Sequence, residues 1–101
     1  MVLVMKVIQL EFIKSETRLA GFPYGEATFN EQVKNKIQDS DFVDGGIKIV
    51  FPNQIEKVAS SFVQGFFSKL INTMGYSEIE RCFLIETNDE KLTKRIKENI
   101  Y

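Results

Sequence analysis

Segments with the composition of β-strands alternate along this chain with segments that have the spacing of amphipathic helices. The strand-like segments span residues 2–13, 47–51 and 82–86, and each is rich in β-branched or long apolar residues. Strands that are separated by helices form crossover units, and these give parallel pairing. The order β-α-β-α-β-α therefore predicts an α/β fold, in which helices pack on a small mixed or largely parallel sheet.

The first helix is predicted from an apolar repeat that follows a capping signal. Thr28 and Glu31 have capping-box spacing, in which the hydroxyl accepts from a first-turn amide and the carboxylate reaches back. Apolar side chains then recur every four residues along one face: Phe29, Val33 and Ile37. We expect this helix to begin at Thr28. Residues 14–25, rich in glycine, proline and hydroxyl residues, are expected to form an irregular loop.

The second helix has the widest apolar face in the chain. Ser61 and Gln64 form a capping-box pair at its start, and Gly75 is placed for a left-handed cap at its end. The apolar side chains between them cover a wide arc: Phe62, Val63, Phe66, Phe67, Leu70, Ile71 and Met74. Such an arc indicates a helix that is buried against the sheet and available to a partner.

A third helix is predicted at the end of the chain. Thr87 and Glu90 provide a further capping-box pair, so the helix is expected to begin there. Its apolar positions again recur every four residues: Leu92, Ile96 and Ile100.

The apolar segment 2–13 is expected to be neither a targeting signal nor a membrane span. Lys6, Gln9 and Glu11 interrupt it, and no basic region precedes its apolar stretch. As a strand, this segment could lie either at an edge of the sheet or in a central or covered position. At an edge, its free amides and carbonyls would pair with a second copy, giving a homodimer, or with another partner. A central or covered place, which removes that option, is slightly favoured.

Composition excludes several classes of function. The 101 residues suffice for one domain, 1–101, and 44% hydrophobic with 27% charged residues is a globular balance. Thirteen basic and fourteen acidic residues give a net charge of −1, so we expect no nucleic-acid or membrane partner. With no histidine and one cysteine, Cys82, the chain lacks the usual ligands for zinc, copper or iron. We therefore expect no metal, no cofactor, no catalytic residues and a reducing, cytoplasmic location.

Two segments are candidates for a contact surface. Residues 18–25 combine a cation with aromatics and glycines, which suits partner contact; a loop whose Phe22 covers the core is an equal alternative. Ser60 and Ser61 stand at the start of the second helix, where a hydroxyl is either an N-cap, the favoured interpretation, or a phosphorylation site stabilised by the helix dipole. The predicted partner-binding or phosphorylation residues are Arg18, Phe22, Tyr24, Ser60, Ser61 and Gln64.

Short motifs distributed from about residue 8 to residue 101 resemble one known family. They are Arg18, Gly21, Gly25-Glu26, Phe29, residues 47–51, Ser60-Ser61-Phe62 and the closing strand and helix. This set is similar to the STAS-like family of unknown function, which is related to the STAS domains of anti-sigma-factor antagonists.

The resemblance implies a regulatory role and a partner. Antagonists of that kind bind a histidine-kinase-type ATPase, and a D-S-S-G segment at a helix start carries their phosphorylated serine. Residues 59–62 match that position, which would place the modified hydroxyl at Ser61. This chain has Ala59 in place of the acidic residue and Phe62 in place of the glycine.

The sequence thus predicts a non-enzymatic STAS-like module that binds a protein partner through the helix start near Ser61 and the 18–25 loop. A small stand-alone inhibitor, of the phage-encoded kind that blocks a larger host complex, is the alternative. An enzyme that uses carboxylates alone is a third and weaker hypothesis.

Overall fold

The computed structural model describes residues 5–38, 40–41 and 45–100, which form an α/β fold. Its strands are β1 (Lys6–Gln9), β2 (Arg18–Leu19), β3 (Ile47–Val50), β4 (Lys57–Val58) and β5 (Phe83–Glu86). Its α-helices are α1 (Phe22–Gln32), α2 (Ser60–Cys82) and α3 (Glu90–Ile100). Strands β1, β3 and β5 form a parallel sheet in that order, so the predicted fold class and the order of its main elements are confirmed.

The three-stranded sheet is covered on one face. The covered face includes one row of paired, buried residues: Ile8, Ile49 and Ile85. These residues belong to the same core cluster as the apolar residues of all three helices. The next row lies on the opposite face: Val7, Lys48 and Leu84. There Val7 is 59% exposed and Leu84 45% exposed, so among the described residues the helices pack on one side only.

Strand β1 lies at an edge of this sheet, and β3 is central. The slight preference for a central or covered N-terminal strand was therefore wrong, and residues 1–4 of the predicted segment lie outside the described residues. Polar Lys6 and Gln9 suit an edge, whereas β3 contains Ile47 and Ile49, which are fully buried. Beyond β1, the Gln32 amide accepts from the Glu11 N–H at 2.7 Å and donates to the Glu11 carbonyl at 2.8 Å. The Gln32 side chain thus occupies the backbone hydrogen-bonding groups of Glu11, just past the end of β1 at the sheet edge.

Two very short strands form a second parallel sheet that the sequence did not predict. Arg18 pairs with Lys57, and Leu19 pairs with Val58. The expectation of an irregular loop over residues 14–25 was therefore wrong for β2 and for the start of α1. Two residues are too few to show strand alternation, and only the pairing across sequence reveals the element. Leu19 and Val58 are buried, so Arg18 and Lys57 are directed to solvent.

Helix α1 begins at Phe22, six residues before the predicted start. Its N-cap is Gly21, and a proline follows in the first turn. Backbone amides of the first turn have no acceptor within the helix, so proline, which lacks an N–H, loses no hydrogen bond there. Thr28 lies inside the helix, is buried, and donates its hydroxyl to the Tyr24 carbonyl at 2.8 Å. The capping box of Thr28 and Glu31 therefore does not form.

The other two helices start near the predicted residues but with different caps. Ala59 is the N-cap of α2 and makes no side-chain bond, so the capping box of Ser61 and Gln64 is also wrong. At the start of α3, the Asp89 carboxylate accepts from the Lys91 amide at 2.9 Å, so Asp89 caps this helix and Thr87 does not.

Gly75, where the second helix was predicted to end, interrupts α2 with φ 80° and ψ 169°. This conformation differs from the left-handed helical cap that was expected, and helical turns resume to Cys82. No helix among the described residues is long and apolar enough to cross a membrane.

Candidate functional site

The two segments that the sequence singled out lie side by side. The Gly21 amide donates to the Ser61 hydroxyl at 3.0 Å. Gly21 is the N-cap of α1, and Ser61 is the second residue of α2. The starts of both helices are therefore joined by one side chain.

A close crossing of α1 and α2 fixes this arrangement. A Cβ added to Gly25 would lie 2.1 Å from the Phe62 carbonyl oxygen, and one added to Gly65 would lie 2.1 Å from the Phe22 carbonyl oxygen. Real Cβ atoms do not approach a carbonyl this closely, so both positions require glycine. The reciprocal contact places the first residue of α1 directly on α2. Gly65, an isolated glycine inside the predicted second helix, was the sequence signal for it, whereas Gly25 fell in the segment expected to be a loop.

The two serines have different environments. Ser60 is exposed at the first helical position, whereas Ser61 is half-buried and accepts the bond from Gly21. The predicted N-cap role of Ser61 is wrong because the helix begins at Ser60, two residues before the start that an N-cap at Ser61 would give. Ala59 donates its amide to the Leu19 carbonyl at 2.8 Å and has extended φ/ψ, so residue 59 occupies the cap position.

Tyr24 is held by contacts within the molecule. Its hydroxyl donates to the Glu16 carboxylate, whose oxygens lie 2.9 and 2.8 Å away. Its ring packs edge-on against Phe62 and Phe12, with centroid distances of 5.5 and 6.3 Å. Burial of the ring and the neighbouring carboxylate raise the pKa of Tyr24 to about 12. Through these contacts Tyr24 holds the segment that precedes α1 against the rest of the protein.

Phe22 and Gln64 line a common depression of about 350 Å³, here called the aromatic depression. Its other lining residues are Ser68, Ile71, Asn72, Tyr76, Asn99 and Ile100. Phe22 is 41% exposed and Tyr76 is 49% exposed, and no charged side chain lines the depression. The sequence did not indicate Tyr76 or Asn99, because they come from distant parts of the chain. Exposed rings with amides around them are typical of surfaces that contact other proteins.

Arg18 lines a second depression of about 340 Å³, here called the basic depression. Lys57 and Arg95 line it too, and its apolar floor is formed by Leu19, Ala20, Val58, Ala59 and Leu92. Arg95 and Asn99 are one turn apart on α3, so this helix contributes to both depressions. The predicted residues Arg18 and Phe22 thus lie in neighbouring but different depressions.

Polar side chains at the carboxyl end of the main sheet are already engaged. In open α/β sheets, ligands bind past the carboxyl ends of the strands. Here the Gln54 amide donates to the Ile13 carbonyl at 2.8 Å, and the Asn88 amide donates to the Asn53 carbonyl at 2.6 Å. These bonds tie the loops to one another. No three His, Cys, Asp or Glu side chains of the described ranges are grouped so that they could hold a metal ion.

The exposed polar and aromatic groups of this region are thus gathered where the 18–25 segment, the start of α2 and the outer side of α3 meet. Exposed rings, amides and cations on rigid helices can contact a second molecule without any further group. Comparisons with models of protein families, with curated proteins and with solved structures found no match for this chain.

Proposed function

We propose that this chain is a non-enzymatic, regulatory interaction module of the STAS-like type. It binds a protein partner through the surface where the 18–25 segment meets the start of α2. The observation that supports this most strongly is the position of Phe22. The contact between its carbonyl and Gly65 fixes its backbone on α2, while its ring stays 41% exposed beside Gln64. A rigidly held, exposed aromatic is the usual anchor of a protein interface.

The resemblance to the STAS-like family supports the regulatory part of the proposal. It suggests a histidine-kinase-type ATPase as partner and a cytoplasmic location. It also suggests Ser61 as a phosphorylation site. The Ser61 hydroxyl lies at the starts of two helices, α1 and α2, where both dipoles favour a negative charge. A phosphate there would compete for the Gly21 amide and so alter the position of the 18–25 segment.

The proposal is tested by affinity capture from the native host, followed by reconstitution with the purified partner. Phe22→Ala combined with Gln64→Ala is expected to weaken binding at least about tenfold, since the anchor of the interface is lost. Leu84→Ala is the matched control, because Leu84 is similarly exposed but lies on the open face of the sheet. Undiminished binding by a well-folded Phe22/Gln64 variant would contradict the proposal.

An inhibitor that blocks a larger host complex, of the small phage-encoded kind, remains the second candidate. The edge position of β1 favours it. The even-numbered amides Lys6 and Leu10 bond toward β3, so by alternation the amides of Val7 and Gln9 face away from the sheet. Such an edge can accept a strand from a partner or from a second copy. Co-purification of a nuclease or defence complex, with binding insensitive to Phe22, would favour this candidate over the first.

A further inference from the structure

We infer that the basic depression binds a phosphate group carried by another molecule. This inference does not depend on the proposed function, although the two sites are neighbours. Three cations line the depression: Arg18, Lys57 and Arg95. No carboxylate lines it, although the chain has fourteen acidic residues. None of the three cations takes part in an ion pair or a side-chain hydrogen bond with another described residue.

The arrangement of two of these cations opposes stability. Arg18 and Lys57 are paired positions on the parallel strands β2 and β4, about 4.8 Å apart in the pairing direction. Like charges at directly paired positions repel, so this pair destabilises the small sheet. Elsewhere the fold places opposite charges together, as in the 2.8 Å pair of Lys48 and Glu86. A local arrangement that lowers stability, and that no described side chain compensates by an ion pair, is typical of a binding site.

The chemistry of the lining favours phosphate over a single carboxylate. Phosphate monoesters carry close to two negative charges at neutral pH and three acceptor oxygens. Two of the three cations are arginines, whose forked guanidinium groups bind phosphate oxygens in pairs. Ala59 also lines the depression, and the helix that it begins has no side-chain cap there, so the positive end of its dipole adds to the field.

The shape indicates that the phosphate is attached to something larger. The depression is open to solvent, and its volume of about 340 Å³ exceeds that of a phosphate ion. Its lining also includes three buried apolar side chains, Leu19, Val58 and Leu92. The carbon atoms of an ester would contact these side chains while the phosphate reaches the cations. The source is either a phosphorylated side chain of a protein or a small phosphate ester.

The test is titration of the full chain, followed by amide chemical shifts, at a constant ionic strength maintained with chloride. The probes are a phosphoserine peptide, its unphosphorylated form, O-phosphoserine and inorganic phosphate. We expect saturable shifts at Leu19, Val58 and Ala59 with the phosphorylated probes. Similar affinity for the peptide and O-phosphoserine would identify a small-ester site, and tighter peptide binding would identify a protein source. Absence of saturable binding by every phosphorylated probe would overturn the inference.

A pair of triple variants separates a specific site from general charge. Arg18→Gln, Lys57→Gln and Arg95→Gln together are expected to weaken binding at least about tenfold. The matched control removes three exposed lysines outside the depression, by Lys14→Gln, Lys34→Gln and Lys94→Gln, and should change affinity less than about twofold. Equal losses in the two triple variants would mean that the anion recognises only net charge, which also overturns the inference.

A single reversal of charge gives two readouts that move in opposite directions. Lys57→Glu puts a carboxylate opposite Arg18, so the urea midpoint of unfolding should rise. The same change should abolish the saturable shifts with O-phosphoserine, because it repels the phosphate. Retained phosphate binding by this more stable variant would refute the site.

Discussion

At the scale of single residues, the structure distinguishes side chains that hold the fold from those that are presented to solvent. Tyr24 and Phe22 looked equivalent in the sequence, since both are aromatic residues in a glycine-rich segment. Tyr24 donates to Glu16 and packs on Phe62, whereas the ring of Phe22 is presented beside Gln64. Sequence patterns identified the segment, but the division of roles within it depends on residues from other elements. We therefore expect Tyr24 to affect stability and Phe22 to affect binding.

The hydrogen bond of Tyr24 makes a pH-dependent contribution to stability. Because the folded-state pKa of Tyr24 is raised to about 12, its contribution is fully present below the unfolded-state pKa near 10. The contribution is then lost as the pH rises from about 10 through about 12. The other tyrosines are present in both proteins, so the difference in urea midpoint between wild type and Tyr24→Phe isolates this residue. That difference should be constant from pH 7 to 9 and should shrink above pH 10. A difference that stays constant to about pH 11.5 would contradict the assignment.

At the scale of elements, the sequence predicted which helices and strands exist better than where they begin. Apolar spacing located α2 and α3, because each has enough residues to show its period, and β-branched composition located β3. The start of α1 was missed because Gly21, Phe22 and Pro23 resemble a loop, although proline is well tolerated in a first helical turn. The three capping boxes failed for separate reasons. The Ser61 hydroxyl accepts from Gly21, Thr28 lies inside α1, and Asp89 caps α3 in place of Thr87.

The crossing of α1 and α2 makes Gly65 a buried position of α2 at which even one added methyl group clashes. Alanine is favoured over glycine in a helix by about 1 kcal/mol, so Gly65→Ala would stabilise an isolated helix. In the protein its methyl group would lie 2.1 Å from the Phe22 carbonyl oxygen, and the helices must move apart. We expect a net loss of about 1–3 kcal/mol in the free energy of unfolding, measured with urea. Gln64→Ala, the exposed neighbour on the same helix, should change it by less than about 0.5 kcal/mol. A Gly65→Ala protein as stable as wild type would contradict this close crossing of the two helices.

At the scale of the whole molecule, the two depressions form only when segments that are distant in sequence pack together, which no local sequence pattern indicates. The predicted residues Arg18, Phe22, Ser61 and Gln64 are gathered near one end of α2. Lys57, Arg95 and Tyr76 join them from a two-residue strand, the last helix and the turn after Gly75. Each of these three looks like an ordinary solvated residue in its own segment. Only the pairing of β2 with β4 and the packing of α3 reveal them as part of a surface.

The one-sided covering of the main sheet is the remaining whole-molecule property that an experiment can test. Ile49 on the covered face is fully buried and contacts the common core, so Ile49→Ala should lower the free energy of unfolding by about 2–5 kcal/mol. Val7 and Leu84 flank Lys48 on the open face, where little apolar surface is removed from water on folding.

Replacing Val7 and Leu84 together by threonine, which places a β-branched side chain in both strands, should therefore change the free energy of unfolding by less than about 1 kcal/mol. The measurement is urea unfolding at two protein concentrations tenfold apart. A large loss that depends on protein concentration would mean that a second copy of the chain covers this face in solution. A large loss that is independent of concentration would mean that another part of the same chain covers it. Only a small loss at both concentrations agrees with a sheet whose second face is open to solvent.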